Sequence, residues 1–64
     1  MKIDRIKLIS EMARQRMTTK VLADKCSVSR ATISAIRNGK SCIDVVGKAI
    51  ANALGVDVND LIED

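Results

Sequence analysis

Histidine is absent from this sequence, and so are phenylalanine, tyrosine and tryptophan. Without histidine the chain lacks the commonest general base near neutral pH and the commonest metal ligand. Without aromatic rings it lacks the platforms on which RNA-recognition and OB-type domains stack single-stranded bases. No Gly-rich phosphate loop and no Ser-His or Cys-His pairing is present. An enzyme is therefore the least expected class, and no cofactor, metal or small-molecule ligand is expected. No apolar run approaches the ~20 residues of a bilayer-spanning helix. No apolar signal segment follows the basic start either, so the chain is expected in the cytoplasm and away from membranes.

Cysteine is scarce. Cys26 and Cys42 have no CxxC spacing, which argues against zinc, and a reducing cytoplasm argues against a disulfide. Cys26 falls where a helical pattern wants a buried apolar residue. Cys42 falls at an expected helix start, where a thiolate can be stabilised.

What is present is basic charge, unevenly spread. Residues 1–40 carry ten Lys/Arg against three Asp/Glu, a balance of +7, while residues 41–64 carry one Lys against five Asp/Glu, a balance of −4. The first part suits a polyanion and the second does not. Composition alone equally fits an ordinary solvated charge face.

Sixty-four residues make one domain, 1–64, with a single small core. The hydrophobic period predicts an all-α chain of five helices. Helix 1 spans about Ile3 to Arg16, with Ile6, Ile9, Met12 and Ala13 as its apolar stripe and Arg5, Lys7, Arg14 and Arg16 outside it. Thr18 caps a second helix from Thr19 to Lys25, whose inward positions are Leu22, Ala23 and Cys26. Ser27-Val28 makes a turn. Ser29 caps a third helix, which runs to about Asn38 with Ile33 and Ile36 inward, and Asn38-Gly39 ends it. A fourth opens on Ser41-Cys42-Ile43-Asp44 in the form of a capping box. It continues through Ile43, Val46, Ile50, Ala53 and Leu54. Gly47 within it predicts a close packing contact. After Gly55, Asp57 caps a short fifth helix holding Val58, Leu61 and Ile62.

Thr19 to Lys40 carries the strongest signal. Two short helical patterns meet at a turn, and the second shows Arg and small polar residues on its outer face. This is the pattern of a helix-turn-helix, which places one helix in the major groove of DNA. The apolar Leu22, small Ala23, apolar Cys26, Val28, Ile33 and Ile36, the exit Asn38-Gly39-Lys40 and the tail Ala53-Leu54-Gly55-Val56 through Asp60-Leu61 resemble the phage repressor and Cro family of XRE-type regulators from about Arg5 to Ile62. The resemblance implies a compact five-helix, lambda-repressor-like domain. Three positions depart from the family's usual residues. Ser27 replaces a turn Gly, at a cost of ~1 kcal/mol if its φ is positive. Thr19 replaces a Gln that braces a phosphate contact. Arg37 replaces a Glu, and puts a cation at a helix C-terminus where the dipole favours it.

On this reading the third helix meets base edges with Arg30, Ala31, Ser34 and Ala35. Arg30 matches guanine O6 and N7 with its planar fork, and the alanines offer methyl contacts. Thr19, Ser29, Thr32, Arg37, Asn38, Lys40 and Ser41 are candidates for phosphate, with Arg14, Arg16 and Lys20 weaker ones. The resemblance further implies a homodimer on a near-palindromic double-stranded operator. Val58, Leu61 and Ile62, beyond the four helices that complete the core, are its expected contact, the alternative being that they cap that core. The expected function is sequence-specific transcriptional regulation, with repression by promoter occlusion. Two alternatives share the fold: an antitoxin that autoregulates its operon, and a protein–protein adaptor.

Overall fold

The computed structural model describes residues 1–63, and among these it contains four helices and no strand. They are α1 (Arg5–Arg14), α2 (Thr19–Cys26), α3 (Arg30–Arg37) and α4 (Asp44–Leu54). The fifth expected helix is a single 3₁₀ turn, Val58–Asp60. Three residues make one turn and no repeating face, so Asp57 caps a bend here: its carboxylate accepts from the Asn59 amide at 2.8 Å.

Polar caps set where α1 to α3 begin. Asp4 accepts from the amides of Ile6 and Lys7 at 2.8 and 3.2 Å, which starts α1 at Arg5 and leaves Ile3 outside it. Thr18 Oγ1 accepts from the Val21 amide at 3.2 Å, and Ser29 Oγ from the Thr32 amide at 3.1 Å. Each helix stops by the same device. A residue with positive φ follows the last turn: Arg16 (54°), Ser27 (58°), Gly39 (98°) and Gly55 (70°). The next amide then reaches back to a carbonyl inside the helix: Met17 to Met12, Val28 to Ala23, Lys40 to Ala35 and Val56 to Ala51, at 2.8 to 3.1 Å.

The core is wholly aliphatic among the described residues. Ile3, Leu8, Met12, Leu22, Ala23, Ile33, Ile36, Ile50, Ala51, Leu54 and Leu61 are all buried, with no buried polar side chain among them. This corrects the expected stripe of α1. Ile6 is 60% exposed and Ala13 is exposed, while Leu8 and Met12, four residues apart, carry the inward face.

Ile3 joins the core from an extended segment, not from a helix. It forms an antiparallel bridge with Ile62, the Asp4 amide donates to the Leu61 carbonyl at 2.8 Å, and the Glu63 amide donates to the Lys2 carbonyl at 3.1 Å. On its other side the segment meets the loop before α4. The Met1 amino group donates to the Cys42 carbonyl at 2.6 Å, and the Cys42 amide donates to the Met1 carbonyl at 2.9 Å. That pairing displaces the expected capping box. With the Cys42 amide committed to Met1, α4 starts at Asp44 behind Ile43, which offers no side-chain cap and is 68% exposed. Gly47 meets its expected close approach: the Met1 thioether stands where a Cβ on Gly47 would be.

Ser27 sits in the left-handed region at φ 58°, ψ 36°, which a side chain disfavours and glycine does not. Ser27→Gly should therefore raise the unfolding free energy by about 1 kcal/mol. Urea denaturation should show a higher midpoint at unchanged slope; a lower midpoint would mean that the serine side chain does more than tolerate the turn.

Candidate nucleic-acid interface

Helix α3 has one buried side and one open side. Ile33 and Ile36 are 0% and 1% exposed, whereas Arg30, Ala31 and Ser34 are exposed and Ala35 is half-buried. Among the described residues, Arg30, Ser34, Lys40 and Ser41 have no hydrogen bond or ion pair through their side chains. Arg30 opens α3 at the end where the helix dipole repels a cation, so its charge gains nothing from its own helix.

The remaining sequence-chosen residues border this open side in two groups. Ser29 and Thr32 are tied to each other, their hydroxyl oxygens 2.9 Å apart, and serve the N-cap. Each hydroxyl keeps further hydrogen-bonding capacity. Arg37, Asn38, Lys40 and Ser41 follow the chain out of α3, with Asn38, Lys40 and Ser41 exposed. Ala35 and Thr32 line a groove with Lys40, Ser41, Cys42, Ile43 and Val46.

Arg37 is not a free surface cation. Its Nη1 donates to Thr19 Oγ1 at 2.5 Å, and its Nε is buried without an acceptor. Two of the three positions that depart from the family's usual residues, Thr19 and Arg37, are thus in contact, joining the start of α2 to the end of α3. This contact is tertiary, its partners 18 positions apart in the sequence, and no helical spacing could have announced it. The weaker candidates divide. Arg14 is held by Glu11, with Nε–Oε2 at 2.5 Å and Nη2–Oε1 at 3.0 Å, and that guanidinium holds the Glu11 carboxyl below its ordinary value. Arg16 and Lys20 are exposed.

Two cations that sequence reasoning left aside arrive at the same place. Lys2 Nζ donates to the Gly39 carbonyl. Arg5, at the start of α1, lines a cleft with Ile9, Ser34, Arg37 and Asn38. Neither had a signal in the helical pattern, because the approach of α1 to the exit of α3 is a property of the packed chain.

Burial pushes the Cys26 and Cys42 thiols above their ordinary value, Cys42 despite the nearby amino terminus, with Asp44 adding to the rise. The thiolate stabilisation expected at Cys42 does not occur, because the helix begins two residues later and the thiol is half-buried.

A helix-turn-helix with a capped second helix, an aliphatic inner face and an unpartnered Arg/Ser outer face is the observed geometry. The family model of the Cro/C1-type HTH DNA-binding domain matches residues 7–64. The chain belongs to this family. Among solved structures, a hydroxyethylphosphonate dioxygenase mutant is similar to it at a TM-score of 0.88 and 25% identity, over 100% of this chain and 14% of that one. Native PhpD with cadmium atoms is similar at 0.85 and 25%, again over 100% and 14%. The chain thus spans 14% of the length of these proteins, a small helical portion of each. No curated protein matches it. No helix among the described residues of this HTH domain is long and apolar enough to cross a membrane.

The expected dimer contact is only partly a surface. Leu61 is 2% exposed and Val58 packs against the core, while Ile62 is half-buried in its bridge with Ile3. Leu61 is unavailable to a partner because the pairing of the segments around Ile3 and Ile62 turns it inward. The large exposed apolar side chains are Ile6, Val21, Ile43 and Val45, the last two 68% and 75% exposed.

A double-mutant cycle tests the Arg37–Thr19 contact. Thr19→Val and Arg37→Met should each destabilise the HTH domain, with a coupling energy of about 1 kcal/mol. Strict additivity in denaturant titrations would show that the two side chains do not act together.

Proposed function

We propose that this chain is a sequence-specific regulator of transcription, a repressor and not an enzyme, that inserts α3 into the major groove and occludes a promoter. The observation that carries this reading is the open face of α3: Arg30, Ala31 and Ser34 exposed and without partners, on a helix whose opposite face is locked by Ile33 and Ile36. A guanidinium on the first turn of such a helix can bond guanine O6 and N7 together, and the alanines can meet thymine methyl groups. Ala35 joins them from the groove side. Thr19, Ser29, Thr32, Arg37, Asn38, Lys40 and Ser41 hold the backbone and set the register.

Binding of random duplex at low salt distinguishes this reading from an adaptor, which would not shift it. On a site selected from random duplexes, Arg30→Ala should cost ~1–3 kcal/mol and relax preference at one base pair. Lys40→Ala should instead weaken all sequences alike and flatten the log–log salt dependence by ~0.9. An Arg30→Ala variant with unchanged base preference would remove Arg30 from readout.

Few side chains read bases from one α3, so we assign two copies to a near-palindromic site, with half-site centres about 34–36 Å apart. The longest extent of the chain is 26 Å, so outermost side chains must make the contact. Ile43 and Val45 flank the phosphate set at the opening of α4 and protrude, which makes them a better contact than the buried Leu61. Sedimentation at saturation should find two chains per duplex. Val45→Lys should abolish cooperativity while leaving half-site affinity intact; cooperative binding that persisted in the variant would exclude this contact.

A further inference from the structure

The cleft between α1 and α3 has an unusual lining. Arg5 and Ile9, four residues apart on α1, face Ser34 on α3 and Asn38 just after it, and Arg37 also lines the cleft. Arginine offers only donors, and the serine hydroxyl and asparagine amide can donate as well. No carboxylate lines the cleft among the described residues, and Arg5 has no hydrogen bond or ion pair there. The Arg5 stem lies over the exit of α3, its Cδ 4.0 Å from where a Cβ on Gly39 would stand.

A cation near the end of α3 is expected, because the helix dipole places about half a negative charge there. Lys2 already meets that need through its bond to the Gly39 carbonyl. Arg5 and Arg37 are additional, and two like charges around one open cleft repel each other unless an anion lies between them. Arg37 cannot retreat, since its Nη1 is held by Thr19 and its Nε is buried without an acceptor. A pinned guanidinium loses little entropy on binding. Ser34 stands on the base-reading face, so the cleft opens beside the groove-facing surface.

We infer that Arg5 and Arg37, with Ser34 and Asn38, form a seat for one DNA backbone phosphate at the α1–α3 cleft, extending the interface beyond the helix-turn-helix to the first turn of α1. This rests on the reading that α3 occupies the major groove. Arg37 supplies a fixed donor, and Arg5 supplies a mobile charge that closes over the phosphate. The contact positions the duplex and carries no sequence information.

The test uses the full chain and a duplex selected for tight binding, with affinity measured across a salt series. Arg5→Ala should reduce the log–log slope by about 0.9, as for one lost phosphate. Base preference and the thermal midpoint of the free protein should stay unchanged. Arg5→Lys should recover the slope, because it restores the charge. A wild-type slope in Arg5→Ala would overturn the seat while leaving the groove reading in place. The same holds if the variant lowers the thermal midpoint without altering the slope, since Arg5 would then serve only the end of α3. A wild-type protein that bound no duplex would overturn both.

Discussion

Ile33 and Ile36 project from α3 into a core in which every buried side chain is aliphatic. Burying each contributes ~1.5–3 kcal/mol. The outer face of α3 depends on this pair more than on any polar contact. A helix turned by one residue rotates about 100°. Such a turn of α3 would expose one isoleucine and drive a polar neighbour such as Ser34 or Arg37 into a core without partners for it. The rotational setting of Arg30, Ala31 and Ser34 is therefore fixed from behind.

Length is the second constraint. Helices α2 and α3 have eight residues each, too few to persist alone in water. They exist because both ends are closed. Thr18 and Ser29 satisfy amides at the starts, and left-handed residues at the stops return amides to Ala23 and Ala35. Ser27 takes the left-handed conformation without being glycine. The turn between the two helices is thus strained slightly in a place where the Val28 amide, bonded to Ala23 at 3.1 Å, makes up part of the loss. Short helices with firm ends leave little freedom in the angle between α2 and α3, which on the proposed reading sets how deeply α3 enters a groove.

The sequence and the structure agree best where one period dominates. The caps Thr18, Ser29 and Asp57, the stops at Gly39 and Gly55, the turn at Ser27 and the inward Leu22, Ala23, Ile33, Ile36, Ile50 and Leu54 all follow from local spacing. Helix α1 was harder because two stripes compete in it. Ile6, Ile9, Met12 and Ala13 mark one, and Leu8 with Met12 marks the other. Asp4 and the partner elements choose the second. Ile3 and Leu61 were misplaced for a related reason: an isolated bridge has no repeat to detect, so a lone aliphatic residue at each end of the chain looked like the edge of a helix. Within the candidate site, the outer face of α3 was legible from its own residues. The bond between Arg37 and Thr19 and the arrival of Lys2 and Arg5 were not, because each joins segments distant in sequence.

The segment before α1 links these two kinds of information. Lys2 touches both charge halves of the chain: its side chain reaches the Gly39 carbonyl at the basic exit of α3, and its backbone carbonyl accepts from Glu63 in the acidic tail. A polyanion approaching the protein feels the separation of these halves only within about 10 Å at 0.1 M salt. Orientation must then be decided late, near contact, by charges whose positions are already set. The extended pairing of residues 1–4 with Cys42 on one side and with Leu61 to Glu63 on the other provides that setting. It anchors the loop that carries Lys40 and Ser41 and the tail that carries opposite charge to one short piece of backbone. The loop proposed to face phosphate is thereby held at the same register as α3.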